Sequence, residues 1–179
     1  MLRGSPLAAL LIALALFAGF EGVAATSGEA RNTIAITRVP PLEALLLDRV
    51  NAVRAANGLA ALRRAPALNR AAIFHSRAMA TFGFFMHESR DGRSFATRIA
   101  RFYAHRSRGW AVGENLAMSS GSVDTDAILS AWMASPGHRA NLLRGSFREA
   151  GIAIVHHPSA GGVYGGQPTW VITLDFGRR

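Results

Sequence analysis

The chain has 179 residues, half of them hydrophobic and 17% charged, a composition that supports a packed core and a prior of one domain, two at most. It contains no cysteine, which excludes a disulfide scaffold, a thiolate metal site, an iron–sulfur cluster, a cysteine nucleophile and a lipidated N-terminal cysteine. All 20 basic residues are arginine, so chemistry that needs a lysine is excluded as well, and the formal net charge of +9 favours anionic partners. The arginines are scattered, without an aromatic-interleaved basic patch, so nucleic acid is not expected as a partner and an anionic envelope polymer is.

Residues 1–25 read as a secretory signal peptide. Arg3 supplies the positive start, Leu7 to Phe20 the apolar run, and Val23-Ala24-Ala25 the small residues before a cleavage point. The run is shorter than the roughly 20 residues of a membrane span. A secreted or periplasmic location follows as the expectation, and Arg3 and Glu21 cancel, so cleavage leaves the net charge unchanged. Residues 26–40 are expected to be a linker, and 41–179 the folded domain.

In that domain a helix is expected from Leu42, with Pro41 suited to its first turn, an apolar stripe through Leu45, Leu46, Val50 and Val53, and a stop at Asn57-Gly58. A second helix is expected over Pro66–Phe82, with Leu68, Ala71, Ala72 and Met79 inward. After the Asp91-Gly92 turn, Ser94 is placed to cap a short helix bearing Phe95, Ile99 and Phe102. Trp110 to Met118 is an apolar stretch around Gly113-Glu114-Asn115. A further helix starts near Asp124 or Thr125, turns Ile128, Leu129 and Trp132 inward, and is interrupted at Ser135-Pro136-Gly137. The period then changes to that of strands, at Gly151–Val155 and Trp170–Leu174, with a glycine-rich hairpin connection between them. Helices first and strands last argue an α+β fold.

Of the six histidines, His75 sits near the apolar face of its helix and reads as a satisfied core or surface residue rather than a ligand, while His105, His156 and His157 read as solvated. His87 and His138 differ, because each falls where an element ends and a cleft can form. Glu114 lies in an apolar stretch, where a buried carboxylate must be paired, hydrogen-bonded or protonated. Asp175 reads as a strand residue with a secondary claim on the same chemistry. The chain has no HExxH helix, no G-x-S-x-G elbow, no phosphate loop and no evident glycosidase pair of acids.

Three stretches fit one pattern: Phe85-Met86-His87 with Asp91-Gly92, Gly113-Glu114-Asn115-Leu116-Ala117, and Ala131-Trp132 through Ser135-Pro136-Gly137-His138-Arg139-Ala140-Asn141-Leu142-Leu143. Together they resemble the bacterial branch of the CAP superfamily of cysteine-rich secretory, antigen-five and pathogenesis-related proteins, also called SCP domains. The resemblance covers about Leu42 to Gly177. It implies a three-layer α-β-α sandwich with a mainly antiparallel sheet and a cleft that in many members is lined by two His and two Glu and in some holds Zn²⁺ or Mg²⁺. The matching positions are His87, Glu114 and His138, with Ser135 where the second Glu would stand and Asn115 and Asn141 in supporting positions. His87 and His138 are thus the expected metal ligands. The expected function is a binding module for a small hydrophobic or peptide ligand. The alternative is a metal-assisted or serine-type hydrolase of the cell envelope, with Ser135 beside His138 as its only serine candidate. A structural envelope protein held by its positive charge is a third reading.

The exported protein is expected to begin at Thr26, which N-terminal sequencing checks. An intact Met1 on mature protein would be the opposite result.

Overall fold

The computed structural model describes residues 35–104 and 108–179; the expected signal peptide, residues 26–34 of the expected linker, and His105 lie outside the described residues. Five helices and five strands are present among them, in the order β1 (Thr37–Arg38), α1 (Pro40–Ala56), β2 (Arg63–Arg64), α2 (Pro66–Phe82), α3 (Phe95–Ala100), β3 (Ala111–Ser120), α4 (Thr125–Ala134), α5 (Pro136–Leu142), β4 (Glu149–Ala160) and β5 (Gln167–Arg178).

The helix starts follow local chemistry. A proline occupies the first turn of α1, α2 and α5, where a missing N–H costs nothing. Ser94 caps α3 by accepting from the Thr97 N–H, and Asp124 caps α4 by accepting from the Asp126 and Ala127 N–H groups. Thr37 and Arg38 were expected in the linker. They instead pair antiparallel with His156 and Val155 of β4, and the Arg38 guanidinium forms an ion pair with the buried Glu43.

The sheet runs β1-β4-β5-β3, with β2 also against β4. All pairings are antiparallel except β2 with β4, so the sheet is mainly antiparallel, and it is packed between two helical layers. Residue alternation along the strands builds those layers. Ile152 and Ile154 of β4 and Ile172, Leu174 and Phe176 of β5 point to one face, where they meet Leu46 and Val50 of α1, Trp132 of α4 and Leu142 of α5. Ala153, Val155, Val171 and Leu116 point to the other, against Ala72, Met79 and Ala80 of α2. Beside this second group, Leu68 and Ala71 pack with Ile99 and Tyr103 under α3.

β3 departs from the sequence expectation, which assigned no element to Trp110–Met118. It pairs with β5 through ten residue pairs, including Glu114 with Asp175 and Leu116 with Thr173. Trp132 ties α4 to it by donating from Nε1 to the Leu116 carbonyl at 2.8 Å. His156 and His157 also depart from expectation, since both lie inside β4 rather than at its end. His156 packs on Trp170 at 4.5 Å between ring centroids, and the buried His157 accepts the Ser159 N–H at Nδ1.

Gly151 sets how near α2 approaches the sheet. A Cβ there would collide with the backbone of Leu68 and Asn69. Gly151→Ala is therefore expected to lower the unfolding free energy by about 2 kcal/mol or more, as overpacking against an unyielding backbone does. Urea titration of both proteins measures it.

Candidate functional site

α2 ends at Gly83, whose φ of 69° provides the left-handed turn. The segment after it carries His87 and is pinned at three points. Tyr164 Oη donates to the Phe84 carbonyl at 2.8 Å, His75 Nε2 donates to the Met86 carbonyl at 2.9 Å, and Arg98 Nη1 donates to the His87 carbonyl at 2.8 Å. Burial first, and then the charge of Arg98, push the His75 pKa down to about 4 against the opposing pull of Glu114. Of the two positions the sequence left open for His75, core and surface, the structure shows the core one, and the lowered pKa favours the neutral form.

Glu114 is the centre of the arrangement. It sits on β3 facing α2 and α3, only 3% exposed. Its Oε1 accepts from His87 Nδ1 at 2.9 Å, and its Oε2 is ion-paired with Arg98 Nη2, itself buried. Burial alone would raise the Glu114 carboxyl. The His87 hydrogen bond and the Arg98 charge outweigh it and hold the group below the usual carboxylate range. Because the Glu114 contact engages Nδ1, neutral His87 presents Nε2 as its lone-pair nitrogen.

His138 comes from the first turn of α5, on the other side of the β3 edge. Two asparagines hold that turn in place. Asn115 Nδ2 donates to the His138 carbonyl at 3.1 Å, and Asn141 Nδ2 donates to the Glu114 carbonyl at 3.1 Å and to Asn115 Oδ1 at 2.9 Å. The His87 and His138 rings lie 6.3 Å apart between centroids. Burial, and then the nearby His87, lower the His138 pKa and favour its neutral form. His87, Glu114, Ser135, His138 and Asn141 share one open pocket of about 250 Å³, with Phe95 on its wall. Ser135 joins α4 to α5 there, and its side chain makes no capping hydrogen bond.

Two side chains escaped the sequence reading of this site or were underweighted by it. Arg98 was not singled out, although it falls three residues after Phe95 and four before Phe102, on the face of α3 expected to be apolar. Asp175 faces Glu114 across the β3–β5 pairing and is fully buried. Burial, and then the Glu114 charge, push its carboxyl well above the usual range, so it is carried as the neutral acid.

The donor set bears on metals. Two imidazoles suit a transition ion such as Zn²⁺ and not Mg²⁺, which takes oxygen ligands. Both Glu114 oxygens are already engaged, and among the described residues no group of three His, Asp or Glu side chains is placed to hold an ion. Among the described residues the set therefore lacks the three or four protein ligands of a resident Zn²⁺ site.

The cysteine-rich secretory protein family, CAP, matches residues 47–176. The chain belongs to this family. A curated relative, an uncharacterized membrane protein of Bacillus subtilis, is 30% identical over 112 residues, which cover 63% of the chain and 31% of that protein. Among solved structures, an extracellular protein containing an SCP domain from Bacillus anthracis superposes with a TM-score of 0.61 at 27% identity, covering 78% of the chain and 41% of that protein. An outer surface protein of Borrelia burgdorferi superposes with a TM-score of 0.66 at 16% identity, covering 81% and 99%. The chain thus spans about a third of the curated relative and two-fifths of the Bacillus anthracis protein. The CAP fold is the α-β-α sandwich described above. Among the described residues no helix is long and apolar enough to cross a membrane.

Asp175 gives a pH-dependent expectation. Below about pH 4 the carboxyl is protonated in both folded and unfolded chains, with no net effect. Above that the unfolded chain ionises while the folded one keeps its proton, so the group increasingly destabilises the fold, by about 1.4 kcal/mol for each pH unit over which the two states differ by a full proton. Asp175→Asn, which never ionises, is expected to gain stability relative to the parent at pH 7 and to lose that advantage at pH 4. Denaturant titrations at the two pH values compare them.

Proposed function

We propose that this CAP domain is an extracytoplasmic binding module that uses the His87–His138 pocket to hold a ligand and does not turn it over. The observation that carries the reading is the engagement of Glu114. The one carboxylate lining the pocket accepts from His87 with one oxygen and pairs with Arg98 through the other. A hydrolase needs an activated nucleophile, a base and an oxyanion stabiliser. Here the carboxylate orients a histidine, and Ser135 forms no hydrogen bond to either imidazole among the described residues.

The same set can bind. His87 Nε2 and His138 offer nitrogen donors, Phe95 offers an apolar wall, and the asparagine network holds the groups in fixed positions. A peptide or small hydrophobic ligand suits such a pocket, and a weakly held Zn²⁺ would be carried by the two histidines. A location outside the cytoplasm is supported by the signal-peptide pattern and by the extracellular SCP-domain protein of Bacillus anthracis.

Digestion of a broad peptide library with Zn²⁺, with Mg²⁺ and without metal is expected to show no turnover. Cleavage at about 1 s⁻¹ or above, lost in Glu114→Gln, would establish the hydrolase instead. Calorimetry is expected to show weak Zn²⁺ binding that disappears in His87→Ala/His138→Ala; equal affinity in that variant would place the metal elsewhere.

A further inference from the structure

We infer that the end of the sheet where β2 and β4 begin and β5 stops binds a linear polyol phosphate polymer through its phosphodiester charges. The binding element is a row of exposed arginines. They lie outside the residues lining the His87–His138 pocket, and their role needs no function assigned to that pocket.

The row is built by strand pairing. The Arg63 N–H donates to the Arg148 carbonyl at 2.9 Å, and the Arg148 N–H donates to the Gly177 carbonyl at 3.0 Å. Arg178 follows Gly177 and lies opposite Ala111 at the start of β3. Neighbouring strands stand about 4.8 Å apart, so Arg63, Arg148 and Arg178 cross three strand ends side by side. Arg64 and Arg179 adjoin them in sequence, and all five residues are exposed.

One acidic side chain, Glu149, stands in this row. It accepts from the buried Tyr103 hydroxyl and pairs with Arg179 at 3.3 Å. Arg63, Arg64, Arg148 and Arg178 form no ion pair among the described residues. The side chains of Arg63 and Arg64 form no hydrogen bond there either, so the fold gives them no partner. Crowding these cations works against the fold, and the charge of Arg148 adds to burial in lowering the pKa of Arg54 beneath it. A ligand with repeated negative charge removes that repulsion.

The chemistry of the ligand follows from what surrounds the row. A guanidinium fork matches the paired oxygens of a phosphate group. Cations spread over several strand ends suit anions repeated along a chain rather than one small ion. Tyr103 and Phe147, the rings against Arg179 and Arg144, are fully buried. Nucleobases therefore find no exposed ring of these two to stack on, as single-stranded nucleic acid does in its binding sites, and neither do sugar rings. None of the six exposed large apolar residues belongs to β2, β4 or β5, so this surface offers nothing to insert into a bilayer. Recognition by charge alone remains, and a flexible polyol chain can bring its phosphates into line with the row.

Calorimetry of residues 26–179 with a synthetic glycerol phosphate oligomer tests this. Saturable, salt-sensitive binding is expected, and the glycerol phosphate monomer is expected to bind at least tenfold more weakly. Arg63→Gln/Arg64→Gln is expected to weaken oligomer binding at least tenfold. It should also flatten the dependence of log affinity on log salt by about 0.7 for each arginine removed, with a melting temperature that is unchanged or raised. Arg90→Gln/Arg101→Gln removes the same charge at exposed positions outside the row and should leave the affinity unchanged, as should His87→Ala/His138→Ala. Oligothymidylate and hyaluronate are expected to bind more weakly than the oligomer. Absence of saturable oligomer binding, undiminished affinity in the Arg63/Arg64 variant, or an equal loss in the Arg90/Arg101 variant would overturn the proposal. So would binding of oligothymidylate or hyaluronate as tightly as the oligomer, which would assign the row to nucleic acid or to an acidic sugar.

Discussion

A buried carboxylate on an edge strand constrains everything around it. Glu114 is removed from water on β3, and an ionised carboxylate there is tolerated only with charge and hydrogen bonds supplied. Arg98 supplies the charge and must itself be buried to do so, which fixes α3 against β3. The same guanidinium then holds the His87 carbonyl and Ser89 Oγ, so the segment between α2 and α3 is positioned by the group that neutralises Glu114. His87 closes the set from that segment. Position of the loop, orientation of the imidazole and ionisation of the carboxylate are one problem with one solution.

The second imidazole reaches the same place by another route. His138 comes from the helical layer on the opposite face, and the two faces meet only around the edge of the sheet. Asn115 and Asn141 make that meeting definite. Asn115 points from β3 away from Glu114, as alternation along a strand requires, and so reaches α5. Asn141 returns from α5 to the Glu114 carbonyl, an acceptor on the edge strand. Adjacent residues of one strand thereby serve opposite faces, Glu114 holding His87 and Asn115 holding His138.

The long helices and the last two strands were legible because their apolar periods are unbroken and their ends carry proline, glycine or capping side chains. β3 was not, because Gly113-Glu114-Asn115 puts glycine, an acid and an amide where alternation would be read; the contacts of Glu114 with Arg98 and His87, and of Asn115 with Asn141 and the His138 carbonyl, make those residues compatible with a strand. β1 and β2 are two residues each, too short for any period, and exist through pairing with β4. The four positions around the pocket were legible from family resemblance and the partner of Glu114 was not, since nothing local says which of 20 arginines comes to it. His157 looked solvated because it follows the end of the apolar strand run at Val155, whereas β4 continues to Ala160 and buries it.

The arginine-only composition, read at first as charge, has a structural meaning that lysine could not carry. Arg54 is fully buried at the end of α1, with no carboxylate partner among the described residues. Its three nitrogens donate to the carbonyls of Ala60, Leu142, Arg144 and Phe147, joining the turn after α1 to the chain that leads from α5 into β4. Burial, and then the proximity of Arg148, lower its pKa, yet the planar fork satisfies several acceptors in separate directions at once. A lysine ammonium is a compact point charge with three donors on one atom and cannot span those carbonyls. Arg98 uses the same fork to join a carboxylate, a carbonyl and a hydroxyl, while Arg90 and Arg101 lay the flat face over aromatic rings. The positive charge is therefore unevenly available. Where the fork is buried it organises the fold, and the cations left free to meet a partner are those at the surface.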